Sequence, residues 1–398
     1  MKLTIMIVIY VVSAVGSLAA LAGPLRRAAD PERKHPGRIA LLLLIPAAAF
    51  TFPLAGALTP DGPVCWFFQR WGNIFLGYLL YFLAPLLLIC LILLPVRLAY
   101  RCVKHARWLP KRRTSVCFLL ALLVLSAVIN GVGSAVARDV QVTGYTIPKE
   151  VLGQTSPVRI VLVGDLHIGV NSTPKLYADM TARINEQSPD LVLVAGDIVT
   201  SSFGAMRDPE AYAAILRQIE APRGVYVVYG NHDVEEPLLG GFTFVGAENA
   251  LRHPEMPGFL RACGWTLLTD EVVRLPELNG LCIAGRRDET RPGDGVKERA
   301  PLDQLLADTD PAEPVLLLEH EPADLDVMGE LGVDLSLSGH THDGQIFPGN
   351  IFSRIKGPQS YGLEQWGDSL ALVTSGVGYY GPPIRVGTIS EIVVIDLV

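Results

Sequence analysis

The sequence has no CxxC pair, and its six cysteines, Cys65, Cys90, Cys102, Cys117, Cys263 and Cys282, are scattered. That argues against a zinc site built on cysteine. Cys263 and Cys282, the two in the C-terminal part, read as buried thiols rather than a disulfide. Positive charge is also in short supply: 33 Lys and Arg stand against 40 Asp and Glu, a formal net charge of −7. Nucleic-acid binders usually carry a basic face, so nucleic acid is not expected as a partner. Internal repeats and low-complexity tracts are absent. The 398 residues suffice for two domains, or for one domain with a membrane unit.

Charge is missing altogether from four long apolar runs near the N-terminus, at about residues 3–25, 39–58, 74–95 and 116–137. Each is long enough to cross a hydrocarbon core, which takes about 20 residues of helix. Pro46, Pro53 and Pro85 lie inside them, as membrane helices tolerate when neighbours satisfy the freed carbonyls. Residues 1–137 are therefore expected to form an all-α bundle of four transmembrane helices. The first loop carries Arg26, Arg27, Arg33, Lys34 and Arg38, and the third carries Arg97, Arg101, Lys104, Arg107, Lys111, Arg112 and Arg113. The second holds only Arg70, beside Trp66, Phe67, Phe68 and Trp71. Positive loops stay cytoplasmic and aromatic residues favour the interface. The expectation is a multi-pass protein of the cell membrane with everything after the fourth helix on the extracytoplasmic side. A cleaved signal peptide fits the first run poorly, because its n-region has only Lys2.

Residues 138–157 read as a linker with a possible first strand at 140–145. From residue 158 onward, short β-branched runs alternate with helical segments, the pattern of a layered α/β domain. Strands are expected at 158–163, 191–195, 225–229, 315–318 and 335–337, and helices at 176–187 and 212–219. Each of the five strands runs into a polar cluster: Gly164-Asp165-Leu166-His167, Gly196-Asp197, Gly230-Asn231-His232-Asp233, Glu319-His320, and Gly339-His340-Thr341-His342. Ligands sit beyond the carboxyl ends of strands in α/β sheets, so the five clusters should meet at one rim. Five of the six histidines after residue 158 fall in these clusters; only His253 lies elsewhere. Mixed imidazole and carboxylate donors suit manganese, iron or zinc, whereas magnesium and calcium prefer all-oxygen sites.

The order Asp-x-His, Gly-Asp, Gly-Asn-His-Asp, His, Gly-His-x-His resembles the calcineurin-like metallophosphoesterases over residues 158–398. The apolar unit, the run from Gly339 to Gln345 and the tail 376–385 resemble their membrane-associated bacterial branch, which includes hydrolases of UDP-diacylglucosamine-type lipid phosphodiesters. The resemblance implies a layered β-sandwich flanked by helices. It implies one divalent ion on Asp165, His167 and His342, another on Asn231, His320 and His340, and Asp197 bridging both. Manganese leads, with iron and zinc as alternatives. Two such ions about 3.5–4 Å apart share a hydroxide for in-line attack on phosphorus. His232 is expected to face the substrate as an acid or charge-stabilising group, with Asp233 orienting its ring. Arg385 and Arg286 are candidate phosphate clamps, and Glu319 a candidate acceptor behind His320.

One departure narrows the substrate. The phosphoprotein phosphatases of this superfamily carry Gly-Asp-x-x-Asp-Arg-Gly, whereas here Gly196-Asp197 continues as Ile198-Val199-Thr200-Ser201-Ser202, without the arginine. That favours a phosphodiester or pyrophosphate of a phosphorylated lipid or lipid-linked substrate in the bilayer. The rival readings are a phosphomonoesterase acting on a soluble substrate and an inactive membrane sensor or scaffold; the oligomeric state stays open.

Overall fold

The computed structural model describes residues 47–48, 50–56, 58–59, 62–104, 112–200, 202–236, 238–239, 242–243 and 251–398. The first apolar run, residues 39–46 of the second and the basic loop from Arg26 to Arg38 lie outside the described residues. The chain falls into two compact units that divide after Gly133, the second running Ser134–Pro237, Val245–Tyr380 and Ile384–Val398.

In the first unit, helix α1 spans Pro63–Lys104 and helix α2 spans Arg112–Val136. Proline at the first helical position has no amide hydrogen to lose and its φ suits a helix start. Trp66, Phe67, Phe68, Arg70 and Trp71, expected in a loop, therefore stand on the first turns of α1. Gly72 and Asn73 lie between them and the apolar run, yet the helix continues through both, with Pro53 packed where a Cβ on Gly72 would stand. Arg97, Arg101 and Lys104 likewise belong to its last turns. Phe82 and Leu86 pack with Leu119 and Leu122. Ser126 Oγ donates to Tyr78 O at 2.7 Å, and Asn130 Nδ2 to Gly77 O at 3.2 Å. These polar groups link two otherwise apolar helices and satisfy side chains that the packing buries. Among the described residues, one helix is long and apolar enough to cross a membrane, Cys117–Val136, with Leu120, Val124, Val128 and Val132 exposed.

The second unit holds two six-stranded sheets. Its strands are β1 Val140–Ile147, β2 Val158–Val163, β3 Leu191–Ala195, β4 Val225–Val228, then, after the two-residue strands β5 Leu238–Leu239 and β6 Phe242–Thr243 of the other unit, β7 Thr266–Leu267, β8 Glu271–Leu275, β9 Leu281–Gly285, β10 Val315–Leu318, β11 Leu335–Ser338, β12 Gly362–Trp366, β13 Ser369–Val373 and β14 Ser390–Leu397. The first sheet has the order β1-β14-β2-β3-β4-β7 and the second β12-β13-β11-β10-β9-β8. The possible first strand at 140–145 is present as an edge strand and runs two residues further: β1 pairs in parallel with β14 over eight residues, Val140 to Ile147.

Strict alternation of side chains explains why these strands are apolar throughout. Ile160 and Leu162 of β2 face the inter-sheet core with Leu316 and Leu318 of β10, Leu335 and Leu337 of β11, and Val393 and Ile395 of β14. The alternate residues Val161 and Val163 face outward under helices α3 (Pro174–Glu186), α4 (Pro209–Leu216) and α5 (Met256–Cys263), meeting Met180, Leu216 and Leu260. Val315 and Leu317 face a third layer with Leu302 of α6 (Leu302–Leu305), Leu325 and Met328. Cys263 and Cys282 are buried free thiols in different layers. A seventh helix, α7 (Gly349–Lys356), has no buried residue.

Candidate metal centre

All five polar clusters leave the carboxyl ends of their strands, three from the first sheet and two from the second. The backbone must turn sharply there. Asp165, His167, Asp197, His340 and His342 all have positive φ, between 49° and 71°. A left-handed non-glycine residue costs about 1–3 kcal/mol and persists only where its surroundings enforce it. Hydrogen bonds of the crossing loops do so: Asp165 N donates to Gly196 O at 3.0 Å, His167 N to Asp197 O at 2.9 Å and Gly378 N to Asp165 O at 2.7 Å. Glycine is needed where carboxylates press against the backbone. A Cβ on Gly230 would collide with Asp197, and one on Gly339 with Asp165.

The donor atoms gather in two groups. In one, His167 Nε2 lies 2.9 Å from His342 Nε2, and His342 Nε2 lies 3.4 Å from Asp165 Oδ1. In the other, Asn231 Oδ1 lies 2.9 Å from His320 Nε2 and 3.0 Å from His340 Nδ1. Asp197 Oδ2 stands between, 3.5 Å from His167 Nε2 and 3.2 Å from His320 Nε2. Its other oxygen accepts the His232 amide at 2.8 Å, which fixes the carboxylate plane.

This arrangement fits divalent cations. His320 Nδ1 donates to the Ala195 carbonyl at 2.8 Å, so the lone pair of its Nε2 faces Asn231 Oδ1, itself an acceptor. Acceptors crowded on acceptors call for a positive charge among them. The electrostatics agree. Burial opposes charge on His320, yet Asp197 and Asp165 outweigh it and hold that imidazole well above its usual value. The other rings are neutral, the form that binds metal: burial pulls His167 down to about 3 and His340 to about 4, and holds His342 well below its usual value. Thr200 Oγ1, 2.5 Å from His167 Nδ1, steadies that ring from behind.

His232 joins neither group. Its Nδ1 is 2.7 Å from Glu236 Oε1, and its ring stacks on Tyr380 with centroids 4.3 Å apart. Arg291 Nη1 bonds the other Glu236 oxygen and donates to Asn231 O at 3.0 Å. Burial pushes His232 down, but Asp197 and Glu236 more than offset it, so its imidazole sits above the usual range. The orienting carboxylate is therefore Glu236. Asp233, expected in that role, instead accepts the amides of Gly230 at 2.8 Å and Val199 at 2.9 Å, tying the Asn231–His232 turn to the end of β3. The sequence offered the adjacent acid; Glu236 follows three residues later without a motif, and Arg291 is remote in sequence.

Neither arginine is placed as a phosphate clamp. Arg385 is 1% exposed, and its Nη2 donates to the carbonyls of Ser375, Gly376 and Gly378 at 2.7, 3.0 and 2.7 Å. It props the turn behind Asp165. Arg286 is 2% exposed and pairs with Glu319 at 3.2 Å and Asp324 at 2.8 Å. Glu319 also takes Arg299 at 3.0 Å, so it serves an ion cluster rather than the His320 ring.

Residues 158–344 match the family model described as calcineurin-like phosphoesterase. Among curated proteins, an uncharacterized metallophosphoesterase of Helicobacter pylori is 29% identical over 250 residues, 60% of each chain. A zebrafish protein named as a transmembrane protein with a metallophosphoesterase domain is 28% identical over 294 residues, 71% of this chain and 62% of that one. An uncharacterized metallophosphoesterase of Aquifex aeolicus is 29% identical over 263 residues, 65% of this chain and 91% of that one. The chain thus spans about 60% of the length of the first two relatives. On the family match and the motif-bearing strand ends together, the chain carries a domain of the calcineurin-like phosphoesterase family.

Proposed function

We propose that the protein is a membrane-anchored, dinuclear metal-dependent phosphoesterase that cleaves a phosphodiester or pyrophosphate bond of a lipid-linked substrate. The observation that carries this reading is the position of Asp197 Oδ2, within 3.5 Å of imidazole nitrogens from both donor groups. Asp165, His167 and His342 would hold one ion, Asn231, His320 and His340 the second, and Asp197 both. Two bound cations supply Lewis-acid polarisation of the phosphoryl group and an acidified water.

The chain's own residues do the rest. Asp197, fixed through the His232 amide, keeps the two groups in register. His232 in its protonated form delivers a proton to the leaving oxygen, a task worth about 10²–10⁴ in rate. Glu236 keeps its Nδ1 protonated and its Nε2 aimed away, while the Tyr380 ring covers one face. The absent arginine after Asp197 supports a diester or pyrophosphate over a phosphomonoester. The Cys117–Val136 helix, the further apolar runs and the zebrafish relative's name support a membrane anchor. The loop charges support four spans with the catalytic domain outside.

The test is hydrolysis of bis-(p-nitrophenyl) phosphate against p-nitrophenyl phosphate, with and without manganese. Metal-dependent turnover biased to the diester is expected. A bias to the monoester would move the assignment to a phosphomonoesterase, and no turnover with any of manganese, iron or zinc would favour the inactive sensor.

A further inference from the structure

Helix α7 presents an unusual surface for a part so near the donor groups. Ile351, Phe352 and Ile355 are 47%, 61% and 76% exposed, and Phe347 just before it is 48% exposed. At 3.6 residues per turn the three helical side chains fall within an arc of about 100°. Arg354 and Lys356 flank that arc on its two sides. Single exposed apolar residues need no explanation, but a contiguous group rimmed by polar ones marks an interaction surface.

The helix is held firmly while its apolar side stays bare. Arg354 makes two bonds to Asp343, at 3.1 and 2.9 Å, and Asp343 follows the donor His342 directly. Phe347 N donates to Val386 O at 2.9 Å, and Gly349 N to Ile346 O at 2.6 Å. A fixed helix with an apolar stripe and basic margins has the makeup of an element that lies in a lipid interface.

Strand register supplies the second observation. β14 runs antiparallel to β2, with Val393 opposite Leu162, so its first residues lie at the carboxyl end of β2, where Asp165 and His167 leave. β1 runs parallel to β14 with Val140 opposite Ser390, so Val140 enters at that same rim. Only three residues separate it from Val136, the last of the apolar helix, which is a reach of at most about 14 Å. Ala137, the first of the three, is fully buried in the core of the second unit.

We infer that α7 seats Ile351, Phe352 and Ile355 in the surface of the anionic bilayer crossed by Cys117–Val136, so that the rim bearing the metal ligands faces lipid. This rests on the membrane-anchor reading and deepens it: a substrate phosphoester at headgroup depth would meet the site without leaving the membrane.

The experiment uses the full chain in vesicles of phosphatidylethanolamine and phosphatidylglycerol. Ile355→p-benzoylphenylalanine is compared with Glu277→p-benzoylphenylalanine, an exposed position in the turn before β9, which runs parallel to β10, and so at the opposite rim. Irradiation should give roughly tenfold more phospholipid adduct at 355 than at 277. Alkaline carbonate extraction of the same sample reports the anchor. If the protein stays with the membrane and 355 gives no excess adduct, the docking inference fails while the anchor stands. A crosslinked dimer through 355 would overturn it in favour of a second copy as the occupant. Release by carbonate would overturn the anchor and the docking together.

Discussion

At the scale of single residues, the proposed function separates groups that would hold metal from one that would move a proton. Asp197→Asn removes the anionic oxygen shared by both donor groups, so activity should vanish and metal content fall; two ions retained at full occupancy in elemental analysis would refute the bridging role. His232→Ala should keep its metals and lose about 10²–10⁴ in kcat on poor leaving groups, and less on p-nitrophenolate, which leaves without protonation. Glu236 helps to raise the His232 value. In the proposed role the protonated ring is the working form, so activity should fall as pH rises through that value. Removing the negative partner in Glu236→Gln lowers it, and the alkaline limb of kcat should move down by roughly one pH unit with metal content unchanged. An unmoved limb would show that Glu236 only packs.

At the scale of elements, the turns matter as much as the strands. Asp233 closes the turn after β4 by accepting two buried amides. Asp233→Ala leaves both without a partner and should cost about 2–4 kcal/mol in denaturant unfolding, whereas Asp233→Asn, which keeps one acceptor oxygen, should cost less. These turns also explain what the sequence disclosed. β2, β3 and β10 were readable to the residue because each is an apolar run stopped by glycine or by an ionisable pair. The seven candidate donors were readable because each follows such a stop. Local pattern said nothing of the partner across a turn, so the acid beside His232 drew attention that belonged to Glu236. Arg385 and Arg286 drew attention as charged residues near the motifs; only packing shows that carbonyls and carboxylates already engage them. β1 was legible as a possible strand only to Tyr145, because its middle residues are exposed or half-buried at a sheet edge and leave no apolar run to mark its end at Ile147, and α1 absorbed a loop because aromatic residues continue a helix as readily as they line a bilayer.

At the scale of the whole molecule, the loop charges predict which side of the membrane the domain occupies. Alkaline phosphatase fused after Val398 should be active and a fluorescent cytoplasmic reporter dark; the reverse pattern would place the domain in the cytoplasm. The division of donors between the sheets has a consequence for endurance as well as chemistry. Asp165, His167, Asp197 and Asn231 come from one sheet, His320, His340 and His342 from the other. Each donor group draws on both, so each ion would act as a rivet through two plates that are otherwise joined mainly by grease. Ligands that bind only the folded state add about 2.7 kcal/mol at a hundred times Kd. Stripping the metal with a chelator should therefore lower the melting temperature of the domain, and titrating manganese back should raise it in step with occupancy. In Asp197→Asn that response should be largely gone, because the rivet holes no longer line up on a shared charge.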